Sequence, residues 1–134
     1  MKLSNYSEDL EKQESGSAYY LGEDGCFFVK RAGTTQYNKE IEDIKKAEYG
    51  FAPKDVDYGL IIGMWLAEHG VTGWDNILDE NDNPLKFSRK NARKVFLNPA
   101  YFNSLNLLII QHANDYNNYL HDEIEEAIES VKKN

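Results

Sequence analysis

Cysteine is almost missing from this chain, since Cys26 is the only one among 134 residues. A single thiol cannot form an internal disulfide, and it cannot supply the several thiolates of a structural zinc site. One free cysteine is typical of proteins kept in a reducing compartment. We therefore expect a cytoplasmic protein without a disulfide framework.

Long hydrophobic runs are also missing. The most apolar stretch, residues 60–67, is far shorter than the ~20 residues that a membrane-spanning helix needs. The first 13 residues are polar and alternate in charge, which is unlike a secretory signal. We expect no membrane partner.

Basic residues are in the minority, with 15 Lys and Arg against 23 Asp and Glu, which gives a net charge of −8. This charge repels a phosphate backbone, and no basic stripe offsets it. The chain is predicted not to bind nucleic acid. An acidic surface instead attracts a basic segment of a protein partner.

Motifs for catalysis or metal binding are absent as well. The spacing of His69, His112 and His121 does not bring two imidazoles to one metal ion. Asp79 begins a pattern like a calcium loop, but Pro84 and Lys90 stand where that loop needs Gly and Glu. We expect no metal, no cofactor, no catalytic residue and no enzymatic activity.

Aromatic residues are plentiful, with nine Tyr, six Phe and two Trp. They provide enough apolar area for one core, so residues 1–134 are predicted to form a single domain. Residues 1–17 are predicted to be either a flexible arm or a short helix followed by a linker. Residues 18–31 read as a β-hairpin around a polar turn bounded by Gly22 and Gly25, and residues 34–134 read as a helical body. The predicted fold is mainly α, with about four helices and an N-terminal hairpin.

Capping residues divide the helical body. Thr34 or Thr35 is expected to begin a helix that Gly50 ends. Asp55 is expected to begin a second helix, through residue 69. Ser88 is expected to cap a short third helix. Residues 98–99 are expected to begin a long last helix, along which apolar residues recur at helical spacing up to residue 131. Residues 71–87 are predicted to be irregular.

The second helix is apolar nearly all round, and the last helix has a long apolar stripe. Such faces either fill the core or form a groove for a partner. The residues predicted to contribute to that core or partner-binding groove are Leu60, Ile61, Met64, Trp65, Trp74, Phe96 and Tyr101.

An ordered set of short motifs resembles the tail assembly chaperones of long-tailed bacteriophages. It comprises a strand followed by Arg-Ala-Gly at 31–33, Gly-Trp at 73–74, an acidic Asn-rich turn at 79–83, Pro-x-x-Phe-Ser at 84–88 before a helix, and Gln-x-Ala-Asn at 111–114. The resemblance covers residues 27–120. Asn83 departs from it, because the family often has Gly there.

The resemblance implies a protein of the infected host cytoplasm that is absent from the finished virion. Such chaperones coat the tape measure protein, keep it soluble and support assembly of the tail tube protein around it. A homo-oligomer is compatible with this role. The family is also commonly made in a longer, frameshifted form, and residues 131–134 fit an A-rich slippery site.

An alternative function of another class is an acidic, phage-encoded inhibitor that mimics DNA and blocks a host nucleic-acid enzyme. It requires carboxylates spaced like phosphates along one surface. The last predicted helix supplies candidates: Asp122, Glu123, Glu125, Glu126 and Glu129.

Overall fold

Three antiparallel strands and five α-helices form the part of the chain that the computed structural model describes, residues 1–51 and 54–122. In chain order the elements are α1 (Leu10–Ser15), β1 (Ser17–Leu21), β2 (Gly25–Val29), α2 (Thr35–Tyr49), α3 (Tyr58–Trp65), β3 (Val71–Asp75), α4 (Arg89–Phe96) and α5 (Leu105–Asn114). Short 3-10 turns lie at Leu3–Tyr6, Pro99–Tyr101 and Tyr116–Tyr119, and a π-helical turn lies at Leu66–Gly70.

The sheet has the order β1-β2-β3, and this overturns the mainly α prediction. β1 and β2 form the expected hairpin, with Tyr19 opposite Phe27, and Gly22 adopts a φ of 70° in its turn. β3 then pairs with β2, with Trp74 opposite Phe27, inside a stretch predicted to be irregular. The fold is therefore mixed α and β, with strands distributed through the chain.

Side-chain caps fix most helix ends. Thr34 accepts a hydrogen bond from the Tyr37 amide and Ser88 from the Asn91 amide, both as predicted. Gly50 follows α2 with a φ of 82°. The cap of α3 is Asp57 rather than the predicted Asp55, so α3 begins later than expected.

The predicted long last helix is wrong within the described residues. α5 ends at Asn114, and Asp115 caps a new 3-10 turn by accepting a hydrogen bond from the Asn117 amide. Leu120 is extended and forms an antiparallel bridge with Glu8. An Asp side chain that accepts hydrogen bonds from the following backbone amides competes with the hydrogen bonds of a continuing helix. The helix therefore ends although apolar residues continue at helical spacing. The predicted portion beyond residue 122 lies outside the described residues.

Aromatic side chains fill the core between the sheet and the helices. Trp74 meets both Phe27 and Phe96 edge to face, with ring centroids 6.1 and 6.3 Å apart. Trp65 is fully buried, and Tyr37 contacts it edge to face at 4.7 Å. Such pairs add about 0.5–1.5 kcal/mol each to the stabilisation from apolar burial.

A buried carboxylate joins α2 to α3 and to β2. Glu40 is 7% exposed and accepts a hydrogen bond from the Trp65 indole at 3.2 Å. His69 lies 3.1 Å and Lys30 3.5 Å from its other oxygen. Burial alone raises the pKa of Glu40, but the Trp65 indole, His69, Lys30 and Gln36 outweigh burial and hold the pKa below its usual value. The charged form is therefore the one that stabilises the fold.

Replacing Glu40 with Gln is expected to lower the free energy of unfolding at pH 7 by about 1.5–3 kcal/mol, because charge-assisted hydrogen bonds are lost. Folding lowers the carboxyl pKa, so this stabilisation is complete above the unfolded value of about 4.5 and is lost as the pH falls through the folded-state pKa. Urea denaturation across this pH range measures it.

Glu42→Gln is the matched control, because Glu42 lies on the same helix with a 57% exposed side chain paired to Lys45. We expect it to change stability by less than about 0.5 kcal/mol. An equal effect of the two substitutions at pH 7 would contradict a structural role for Glu40.

Candidate functional site

The C-terminal end of α5 is fastened to the end of β2. The Ala32 amide donates to the Ala113 carbonyl at 2.9 Å, and the Arg31 guanidinium donates to the same carbonyl at 3.0 Å. The Tyr119 hydroxyl donates to the Val29 carbonyl at 2.7 Å within the core. The Arg31 guanidinium also lies 5.6 Å from the centre of the Tyr119 ring. These contacts fix α5 beside the sheet.

An open groove lies between α5 and β1 as a result. Its volume is about 510 Å³. One wall is β1 and the other is α5 with the turn after it; the lining residues are Ala18, Tyr19, Tyr20, Leu108, Gln111, His112, Asp115 and Asn118. Half of the lining residues are polar, and they lie on α5 and the turn after it, while β1 and Leu108 provide the mainly apolar side chains.

Exposed apolar side chains lie in and beside this groove. Tyr20 is 72% exposed, Leu108 is 43% exposed and the adjacent Leu107 is 45% exposed. Large apolar side chains that cluster on a surface mark interaction sites more often than isolated ones do. The groove therefore exposes apolar side chains beside its polar lining residues.

His112 forms the floor of the groove. Its Nε2 lies 3.1 Å from the Ser17 Oγ, and the centre of its ring lies 4.8 Å from the centre of the Tyr19 ring. Burial lowers the pKa of His112, although the Asp115 carboxylate and Ser17 act in the opposite direction. The imidazole is neutral at pH 7, so it offers the groove a polar but uncharged surface.

The residues predicted from sequence to bind a partner lie elsewhere. Ile61, Trp65, Trp74 and Phe96 are buried in the core, with exposed fractions between 0 and 7%. Leu60, Met64 and Tyr101 are half-buried and do not line the groove. A partner role for these seven residues stays a prediction.

Sequence reasoning missed Tyr20, Leu107 and Leu108. The available signal was the run at 105–110, whose apolar residues cover more of the helix than one buried face requires. Leu105 and Ile109 face the core, so Leu107 and Leu108 face solvent. The strand edge at Tyr20 gave no comparable signal, because its exposure depends on tertiary packing.

The turn that resembles a calcium loop has an ordinary explanation. One Asp79 carboxylate oxygen accepts hydrogen bonds from the Asn81 and Asn83 amides at 2.9 and 3.0 Å, which is an Asx-type turn. Within residues 1–51 and 54–122, no group of three or more His, Cys, Asp or Glu is arranged to hold a metal ion. Over the same residues, no helix is both long and apolar enough to cross a membrane.

Comparison with known protein families gives one finding. The sequence model of the YdaY prophage protein family matches residues 30–130. The match includes β3, α2 to α5 and their connections, while β1 and β2 precede it. No curated protein and no solved structure matches the chain.

The pKa of His112 can be measured directly. We expect its imidazole to titrate below the reference value of 6.5, because burial disfavours the charged form. Since folding lowers this pKa, the associated stability is present above 6.5 and is lost as the pH falls through the folded-state value. An NMR titration of the ring protons, assigned with a His112→Gln variant, tests this, and titration at or above 6.5 would contradict burial of the ring.

Proposed function

Because the chain belongs to the YdaY prophage protein family, we propose that it is a phage tail assembly chaperone. In this role it binds the tape measure protein, keeps it soluble and supports assembly of the tail tube. The family match supplies the phage origin, and the ordered motifs at residues 27–120 supply the resemblance to tail assembly chaperones.

The observation that carries the proposal is the groove between β1 and α5, which combines exposed apolar side chains with polar ones. A tape measure protein is long and exposes apolar stretches until the tube encloses it. A folded domain that presents Tyr20, Leu107 and Leu108 on its surface can cover such a stretch. The groove is open to solvent, so a segment within a longer chain can reach it.

The charge of the molecule supports the same role. A net charge of −8 keeps a complex soluble while apolar surfaces are covered. It also favours association with segments that carry Lys or Arg.

Most of the motifs that carry the resemblance support the groove, and the motif at 111–114 also contributes Gln111 and His112 to its lining. The Trp74 indole donates to the Leu85 carbonyl at 2.7 Å and so joins β3 to the segment before α4. Ser88 caps α4, and Phe96 at its end contacts Phe27 of β2. These contacts hold the sheet and helices together, which explains why the motifs contain no catalytic residue types in a reactive arrangement.

The DNA-mimic alternative depends on carboxylates of which only Asp122 lies within the described residues. That carboxylate is 2.9 Å from the Lys12 ammonium. The remaining four lie beyond residue 122, so the alternative stays a prediction from sequence.

Co-expression with the tape measure protein of the same prophage tests the proposed function. We expect the native chain to hold the tape measure protein in the soluble fraction. The double substitution Leu107→Glu with Leu108→Glu is expected to leave most of it in the pellet, because two carboxylates replace the apolar surface beside the groove.

Leu78→Glu is the matched control, since Leu78 is 54% exposed and lies outside the groove. It should behave like the native chain, and circular dichroism should show all variants folded. Equal aggregation of the tape measure protein with and without the native chain would refute the proposal.

A further inference from the structure

We propose that the outer edge of β1 accepts an extended segment of a partner protein as a fourth strand of the sheet. The segment has a short apolar centre with Lys or Arg on both sides. This inference goes beyond the proposed function, because it specifies the backbone conformation and the charge pattern of what the groove binds.

Within residues 1–51 and 54–122, β1 is the edge strand of the sheet. Among the described residues its only strand partner is β2, and β3 lies on the far side of β2. A strand edge presents amide and carbonyl groups that another extended backbone can satisfy. The outer edge of β1 therefore has hydrogen-bonding groups in the pattern that a further strand requires.

The sequence of β1 lacks the features that block strand addition. Proteins protect exposed edges with Lys, Pro or a β-bulge. β1 reads Ser-Ala-Tyr-Tyr-Leu, without charge or proline, and its register with β2 is continuous. The irregular register in this sheet lies instead between β2 and β3, at Phe28 and Val29.

The groove provides space for the added strand. It runs beside this edge, with Ala18, Tyr19 and Tyr20 on one side and Leu108 and His112 on the other. Side chains of a strand alternate between its two faces. One set would therefore pack against Leu108 and His112 on α5, while the backbone bonds to β1.

Acidic residues flank the edge at each end. Glu14 lies shortly before β1 with a 61% exposed side chain, 3.8 Å from the Lys30 ammonium, and Glu23 and Asp24 are exposed in the turn after β1. Asp115 is exposed along the α5 side of the groove. This arrangement complements a segment with an apolar centre and basic ends.

The same charges disfavour a second copy of this chain as the added strand. Antiparallel self-pairing centred on Tyr19 would bring Glu14 of one copy towards Asp24 of the other, and the same contact would occur at both ends. Like charges placed opposite each other across a strand pair are destabilising. A basic foreign segment is thus the occupant that the edge favours.

Binding of synthetic peptides to the full chain, followed by fluorescence anisotropy, tests the inference. The first peptide has a central Val-Thr-Val-Thr-Val with two lysines at each end. The second replaces the lysines with glutamates. The third keeps the lysines but carries N-methyl groups on alternate central amides, which removes backbone donors and leaves the side chains in place.

We expect the first peptide to bind at least about tenfold more tightly than either of the others, a difference of about 1.4 kcal/mol in binding free energy. Tyr20→Lys should weaken binding of the first peptide by a similar factor. Tyr58→Lys is the control, because Tyr58 is 64% exposed and lies on α3 outside the groove. It should bind as the native chain does.

Several results would overturn the inference. Equal binding of the N-methylated peptide would show that no strand is added, and equal binding of the glutamate peptide would remove the charge argument. Absence of binding by the first peptide would refute the site. A homodimer in sedimentation experiments that Tyr20→Lys dissociates would assign the edge to a second copy. If peptides bind as expected while the tape measure protein still aggregates, the strand site stands and the proposed function fails.

Discussion

The attachment of α5 to β2 is the contact on which the candidate site depends. Three hydrogen bonds meet there, from the Ala32 amide, the Arg31 guanidinium and the buried Tyr119 hydroxyl. Burial raises the pKa of the Tyr119 hydroxyl so far that it remains a neutral donor under all physiological conditions. Because α5 is held at its C-terminal end, it lies beside the edge of the sheet without covering it. The groove is the space that this geometry leaves.

Capping residues and turn residues in the sequence correctly predicted the elements whose ends they determine. Thr34 and Ser88 cap helices where they were expected to, and the hairpin forms around its polar turn. β3 was missed because its pairing partner β2 lies far back in the chain, and no local pattern reports such pairing. The prediction of one long last helix relied on the helical spacing of apolar residues. It was wrong within the described residues, because Asp115 accepts a hydrogen bond from the Asn117 amide and starts a new turn.

The candidate site was harder to predict than the fold, for a physical reason. Apolar residues such as Trp65 and Phe96 are the most conspicuous in the sequence, and the same size and apolarity place them in the core. The exposed residues of the groove are of types that also occur in protein cores. Only their position in the fold makes them part of a surface groove. Tyr20 is exposed because it lies on an edge strand. Leu108 is exposed because it lies on the face of α5 that points away from the protein core. The preference for basic partners that the acidic composition predicts stays a prediction; the structure shows exposed acidic residues at Glu23, Asp24 and Asp115 near β1 and α5.

The central claim is that the groove between β1 and α5 is the surface that binds a protein partner. Hydrogen–deuterium exchange of the chain, alone and co-purified with the tape measure protein, tests it most directly. The account predicts slower exchange on binding at the amides of β1 and on the outer face of α5, with little change in α2. Slower exchange confined to α2 and α3, with β1 unaffected, would contradict it.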